Sequence, residues 1–427
     1  MTDLILRGPM IRFDGDPFQI GDEALIHDSD AAVVIQDGLI ADVGDAGSVI
    51  ARWPDVAVQS TPHLMAPGFV DAHMHYPQIG VVASWGADLI EWLSTYTFPE
   101  EGRFQDPGYA AEVAKIYFDT QLAHGITCAA SFCTTHPASV DAYFAEAARR
   151  GVAAVGGKVM MDRNAPDALR DTANSGYEDS KALINRWHRK GRARYAVTPR
   201  FAPTSSPEQL EAAGTLWAEH PDCLMQTHLS EQHREIAWVA ELFPDCADYL
   251  GVYEKYGLIG PKAVFGHAIH LTDREHALLS ETEAAVAHCP TSNAFLGSGA
   301  CDVQGLAQRG VRIGLATDTG GGTSYSIFDT MKAAYELAQT RRINLTPVQL
   351  WWLATQGSAR ALHMEAEIGN IKQGLAADLI LIDLGSTALI NHRMARASTI
   401  SEALFVQIIL ADDRAINQVW ASGSRAV

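Results

Sequence analysis

At 427 residues, with 47% hydrophobic and 19% charged side chains, the chain has the composition of a globular enzyme with room for one large domain and a smaller one. A net charge of -19 and an isoelectric point near 5.2 exclude nucleic acid or an anionic membrane surface as the main partner, because both require a basic patch. The first residues lack a charged segment followed by an apolar one, and no apolar stretch approaches a membrane span, so the expected location is cytoplasmic. Six cysteines without a CxxC pair predict buried free thiols.

Residues 1–66 read as short strands (4–6, 32–35, 40–43) punctuated by Asp14-Gly15 and Asp37-Gly38, a dipeptide that favours hairpin turns. From residue 68 onward a different rhythm begins. Eight β-rich runs, at 68–75, 125–132, 152–161, 193–201, 223–230, 263–269, 284–289 and 311–318, are separated by helical stretches. Among those helices, 109–124 and 139–150 have apolar residues at helical spacing, Ser206-Pro207 is a start signal, and Thr272 with Glu275 forms a capping box. Eight strand-helix units predict an α/β protein built on a closed (β/α)8 barrel of the TIM type. Beyond residue 369 the strand-like runs 378–383 and 418–421 return. The expected organisation is a barrel at 67–368, with 1–66 and 369–427 combining into a small β-sandwich, since each end alone would leave open strand edges.

In such a barrel, function gathers at the C-terminal ends of the strands. Strand one ends in His73 and His75, two residues apart and so on one face, suited to holding one metal ion. Alone, such a pair is a weak signal, because two imidazoles can simply occupy a hydrogen-bonded face. His228 and Glu231 end strand five, His267 ends strand six and Asp318 ends strand eight. Taken singly, a structural hydrogen-bonding role outweighs a metal role for each of His228, His267 and Asp318. Together, all at strand ends, they form a metal shell with a proton shuttle. A bound divalent ion brings the pKa of its water toward about 7, and a neighbouring carboxylate, Glu231 or Asp318, can relay the proton to a leaving group.

These residues carry a resemblance. Pro67-Gly-Phe-Val-Asp-Ala-His-Met-His75, the His228-Leu-Ser-Glu231 run, Asp318 and Gly374-Leu-Ala-Ala-Asp378 resemble the amidohydrolase superfamily over nearly the whole chain. The runs 75–78, 91–100, 157–164, 198–203 and 317–324 are similar to its guanine deaminase branch. The resemblance implies hydrolysis of guanine to xanthine and ammonia at one Zn2+ per subunit, with Fe2+ as a substitute. The implied ligands are His73, His75, His228 and Asp318, with His267 orienting the water, Glu231 and Asp318 moving protons, and a homodimer as the assembly.

Read from chemistry alone, the Arg200 fork suits a ring carbonyl and the Gln78 amide offers both donor and acceptor. Phe201 is as well suited to the core as to ring stacking, and on a regular strand it would point away from Arg200. His228 and Glu231 complete the expected purine pocket. Lys158, on strand three, is a conceivable bridge for a second metal, but binuclear relatives carry that lysine on strand four, so one metal is expected. Residues 80–108 form a long aromatic-rich connection, either a lid or a helix packed over the barrel mouth, with Trp92 in the core. The glycines at 320–322 lack the lysine of a phosphate loop and predict a close backbone approach near the metal. Aminohydrolases of 8-oxoguanine, pterins or s-triazines, and a non-catalytic scaffold, remain as alternatives.

Overall fold

The computed structural model describes residues 3–86 and 89–427. Both chain ends enter one eight-stranded sheet, in which Leu4–Phe13 pairs antiparallel with Leu25–Gln36 and the C-terminal strand Leu379–Ile382 pairs antiparallel with Leu64–Pro67. Asp37 and Gly38 both have positive φ (51° and 82°), the two-residue turn geometry that matches strand twist. Asp14-Gly15 differs from its expected hairpin. Asp16 caps the short helix Pro17–Ile20, a 3-10 turn at Gly21–Ala24 follows, and these fill the connection between the two strands. Proline at the first helical position, with its fixed φ, favours the helix there. The C-terminal segment also holds two helices that its β-rich reading passed over, Ala388–Met394 and Ile400–Leu410, each capped by a threonine.

One residue separates the end sheet from the barrel, whose first strand is Phe69–Met74. The remaining barrel strands are Ile126–Phe132, Ala153–Gly157, Ala193–Pro199, Leu224–Leu229, Ala263–His267, Ala285–His288 and Arg312–Leu315, all parallel and in chain order around the barrel. The expected third run breaks at Lys158 into Ala153–Gly157 and the two-residue Val159–Met160, which pairs with strand four. A Cβ on Gly157 would meet the Ala196 carbonyl at 1.8 Å, so only glycine permits that approach. Strands eight and one meet at a seam. The Asp318 N–H donates to the His73 carbonyl (3.0 Å), and the Thr317 N–H donates to the Asp71 carboxylate (3.0 Å).

Small residues fill the barrel interior: Val70 and Ala72, Cys128 and Ala130, Ala153 and Val155, Ala285 and Ala287. Their strand neighbours, such as Phe69, Ala129, Ala154 and Val286, face the surrounding helices. Both faces of every strand are therefore buried, which is why the strands read as near-continuous apolar runs. The helices Pro107–Ala123 and Pro137–Arg150 follow strands one and two in the chain and pack on strands two and three, close to their expected bounds, and the caps at Ser206 and Thr272 form as read.

Candidate metal centre and pocket

Strand one does not alternate regularly. Asp71 pairs with Ala129 and Met74 with Ser131, so three residues on strand one span two on its partner, a β-bulge. Val70 and Ala72 face the interior before it, and His73 and His75 do so after it, while Met74 packs outward. Without the bulge His73 would follow Asp71 to the helical side. Backbone conformation re-aims two other residues. His267 (φ 69°) and Asp318 (φ 47°) lie in the left-handed region, which costs non-glycine residues of order 1–3 kcal/mol and concentrates at functional sites. Across the interior, Gly266 makes room for His73, whose ring lies 2.9 Å from where a Cβ would stand.

The expected ligands converge. His75 Nε2 and His228 Nε2 are 3.2 Å apart, and Asp318 Oδ1 lies 3.3 Å from His73 Nε2 and 3.4 Å from His75 Nε2. Donors in a tetrahedral shell with bonds of about 2.0–2.1 Å stand roughly 3.3 Å apart, so these separations fit one transition-metal ion. Two further observations support the fit. His73 Nε2 is buried without a hydrogen-bond partner. His228 Nδ1 lies 2.6 Å from the Arg200 carbonyl, which as acceptor fixes the tautomer and leaves Nε2 bare. Burial pushes the pKa of His73, His75 and His228 down, keeping them neutral as ligands require. Burial opposes the ionised Asp318 carboxylate, but its close contact with His73 and the charge on His267 hold it below the usual carboxylate range.

Glu231 stands beside this cluster, 3.6 Å from His267 Nε2, and accepts a hydrogen bond from Ser298 Oγ (2.9 Å). Burial raises its pKa to about 7, near the value that suits a proton shuttle. His267 also faces Asp318 (3.7 Å) and has its Nδ1 2.9 Å from Asn293 Oδ1. Burial works against a charged His267, yet Glu231 and Asp318 raise its pKa.

A cavity opens onto the cluster. Gln78, Arg200, Phe201, His228 and Glu231 all line it, as does Gly321. Phe201 reaches the pocket together with Arg200 because the strand ends at Pro199 and the chain turns into the 3-10 segment Ala202–Thr204. It also belongs to a buried apolar cluster with Val159 and Met161, in keeping with the core reading. In the long connection, residues 87 and 88 lie outside the described residues; Leu89–Trp92, Leu93–Thr97 and Phe98–Gly102 form a continuous helical run. Leu89, Trp92 and Leu93 roof the pocket while Trp92 is also core. The expected close backbone approach occurs at Gly322, where a Cβ would stand 2.9 Å from the Asp318 carbonyl oxygen, and a second approach occurs at Gly320. A Cβ on Gly320 would stand 1.9 Å from Gln78 Oε1, so the glycine serves the pocket side chain. Lys158 is committed elsewhere, as its buried ammonium pairs with Asp171.

Several site residues escaped the sequence reading. Ser298 and Asn293 sit on the connection after strand seven and carry no local signature. Glu235, whose Oε2 accepts from the N–H groups of Glu231 (2.9 Å) and Gln232 (3.1 Å), was findable as the third helical position of a capping box. Glu101, fully buried against Arg200 and Gln78, directly follows the run 91–100.

Residues 64–425 match the model of the amidohydrolase family. The chain belongs to the amidohydrolase family. Among amidohydrolases it is 45% identical to the guanine deaminase of Escherichia coli (strain K12) over 84% of this chain and 82% of that protein. Solved structures of guanine deaminases from E. coli (40% identity) and Bradyrhizobium japonicum (36% identity) each superpose with a TM-score of 0.96, covering 100% of this chain and 99% of theirs. Among the described residues of this amidohydrolase, no helix is long and apolar enough to cross a membrane.

Proposed function

We propose that this amidohydrolase is a guanine deaminase, converting guanine and water to xanthine and ammonia. The observation that carries the reading is the meeting, in one cavity, of a three-histidine, one-aspartate donor set with Glu231 on one side and the Arg200–Gln78 pair on the other. The similarity to guanine deaminases over most of the chain supports the substrate.

His73, His75, His228 and Asp318 would hold the metal, and imidazole-rich donor sets favour Zn2+ with Fe2+ as a substitute. When bound, the ion supplies a water of lowered pKa at neutral pH. Arg200 donates to the ring carbonyl oxygen, Gln78 hydrogen-bonds the same ring, and Phe201 and Trp92 enclose its faces. This holds C2 toward the metal donors. Glu231 takes a proton from the attacking water and delivers it to ring N3 as the C2–O bond forms. Asp318 passes the second proton to the departing amine, the C2–N bond breaks, and ammonia leaves. His267, between Glu231 and Asp318, orients the water.

The domain division at 1–66, 67–368 and 369–427, a homodimer and a cytoplasmic location complete this reading; the six free cysteines support a reducing compartment. The test is ammonia release from purified protein over a panel of purines, pterins and s-triazines, with metal content measured on the same sample. Guanine is expected to be the preferred substrate. Turnover of another ring with guanine inert would overturn the substrate while leaving the hydrolytic site intact.

A further inference from the structure

The purine-facing pair is held from behind. Glu101, on the helical turn Phe98–Gly102, is completely buried and faces both residues that the proposed function assigns to the ring. Arg200 Nη1 donates to Glu101 Oε1 (3.0 Å) and Oε2 (2.8 Å), while Gln78 Nε2 donates to Oε1 (2.8 Å). Arg200 is itself almost fully buried, and Phe98 lies under its guanidinium at 5.5 Å. A buried guanidinium without a counter-charge would be costly, and Glu101 supplies that charge away from the cavity mouth.

We propose that Glu101 is a positioning residue that fixes the hydrogen-bond polarity of the ring-binding edge, making the pocket select a ring carbonyl over a ring amine. Both oxygens of an ionised carboxylate only accept. Gln78 must therefore turn its NH2 group toward Glu101, which sets the amide orientation and places its Oε1 against Gly320. Arg200 is engaged end-on: among the described residues, the side-chain hydrogen bonds of its guanidinium run through Nη1 to Glu101. The rest of the fork is left to face the ring. A ring with an acceptor oxygen at that edge gains a charge-assisted hydrogen bond, whereas an amino group there sets donor against donor.

The inference rests on the guanine reading, and the tests separate the two. Ammonia release by the wild-type protein with guanine examines the activity alone. For the brace, Glu101→Gln keeps size but can donate, freeing the Gln78 amide to flip and leaving Arg200 without its counter-charge. Its expected signature is an increase of roughly 10- to 100-fold in KM for guanine with kcat within about threefold of wild type and metal content unchanged. The preference for guanine over 2,6-diaminopurine, which carries an amine in place of the carbonyl, should narrow by a similar factor. Glu101→Asp, which retains the charge, should recover part of the loss, and it carries the test if Glu101→Gln does not fold. A crystal structure of the Gln variant with Gln78 and Arg200 displaced would support the brace whatever the substrate; both side chains unmoved would overturn it. Equal KM for Glu101→Asp, Glu101→Gln and wild type, or a loss confined to metal content, would also overturn it.

Discussion

His75 and His228 present their Nε2 atoms to each other at 3.2 Å across the mouth of the barrel, although 153 residues separate them in the chain. Burial drives the pKa of both rings well below the usual histidine range, so the two nitrogens meet as neutral imidazoles, a pair able to share a proton or a cation. The Arg200 carbonyl on Nδ1 fixes the orientation of His228 for the same purpose.

Removing either imidazole should therefore empty the site. His228→Ala is expected to lower metal affinity by at least about 100-fold, beyond the loss typical of removing a supporting partner, and to abolish ammonia release. Metal analysis after dialysis checks this; full metal occupancy in the variant would exclude His228 as a ligand.

Glu231 stands outside the four-residue donor set, accepting from Ser298 Oγ (2.9 Å) and lying 3.6 Å from His267 Nε2. Glu231→Gln should keep its metal and lose turnover by about 10²- to 10⁴-fold, as expected for a general acid–base group. Steady-state kinetics beside metal analysis separates that outcome from a ligand role, in which metal and activity would fall together.

Lys158 offers a contrasting case, because its ammonium is sealed against Asp171 and distant in role from the metal donors. Lys158→Met leaves a buried carboxylate without its partner, which typically destabilises by about 3–5 kcal/mol. Urea unfolding should show that loss while metal per chain stays the same. A drop in metal stoichiometry would instead place Lys158 in the metal site.

Stability should also depend on pH through histidines far from the pocket. Burial lowers the pKa of His124, His136, His188, His276 and His363 from the ordinary 6.5. The folded state thus binds fewer protons than the unfolded chain, so their contribution is fully present above about pH 6.5 and is lost as pH falls toward the folded values. The urea midpoint of metal-loaded protein should decrease between pH 7.5 and 5.5. A flat or rising midpoint over that window would contradict the assignment.

Much of the architecture was legible because period and punctuation are local. The eight barrel strands lie within a few residues of their sequence bounds, and the caps at Ser206 and Thr272 form where side-chain oxygens can satisfy free helix N–H groups. The Asp14-Gly15 turn failed because Asp16-Pro17 offered the chain a helical start two residues later. Glu101 stayed hidden because a buried carboxylate and an exposed one look alike in sequence, and its partners Gln78 and Arg200 are 23 and 99 residues away.

The amino-acid sequence by itself determined the barrel, the strand ends on which chemistry could stand, and the residue types able to hold a metal and move a proton. These follow from side-chain periodicity and intrinsic donor chemistry. Tertiary structure decided which way those residues point. The bulge between Asp71 and Met74 turns His73 inward, positive φ re-aims His267 and Asp318, and closure of the seam brings strand eight against strand one. Each depends on backbone geometry imposed by packed neighbours, and a strict two-residue alternation along strand one would have sent His73 to the opposite face.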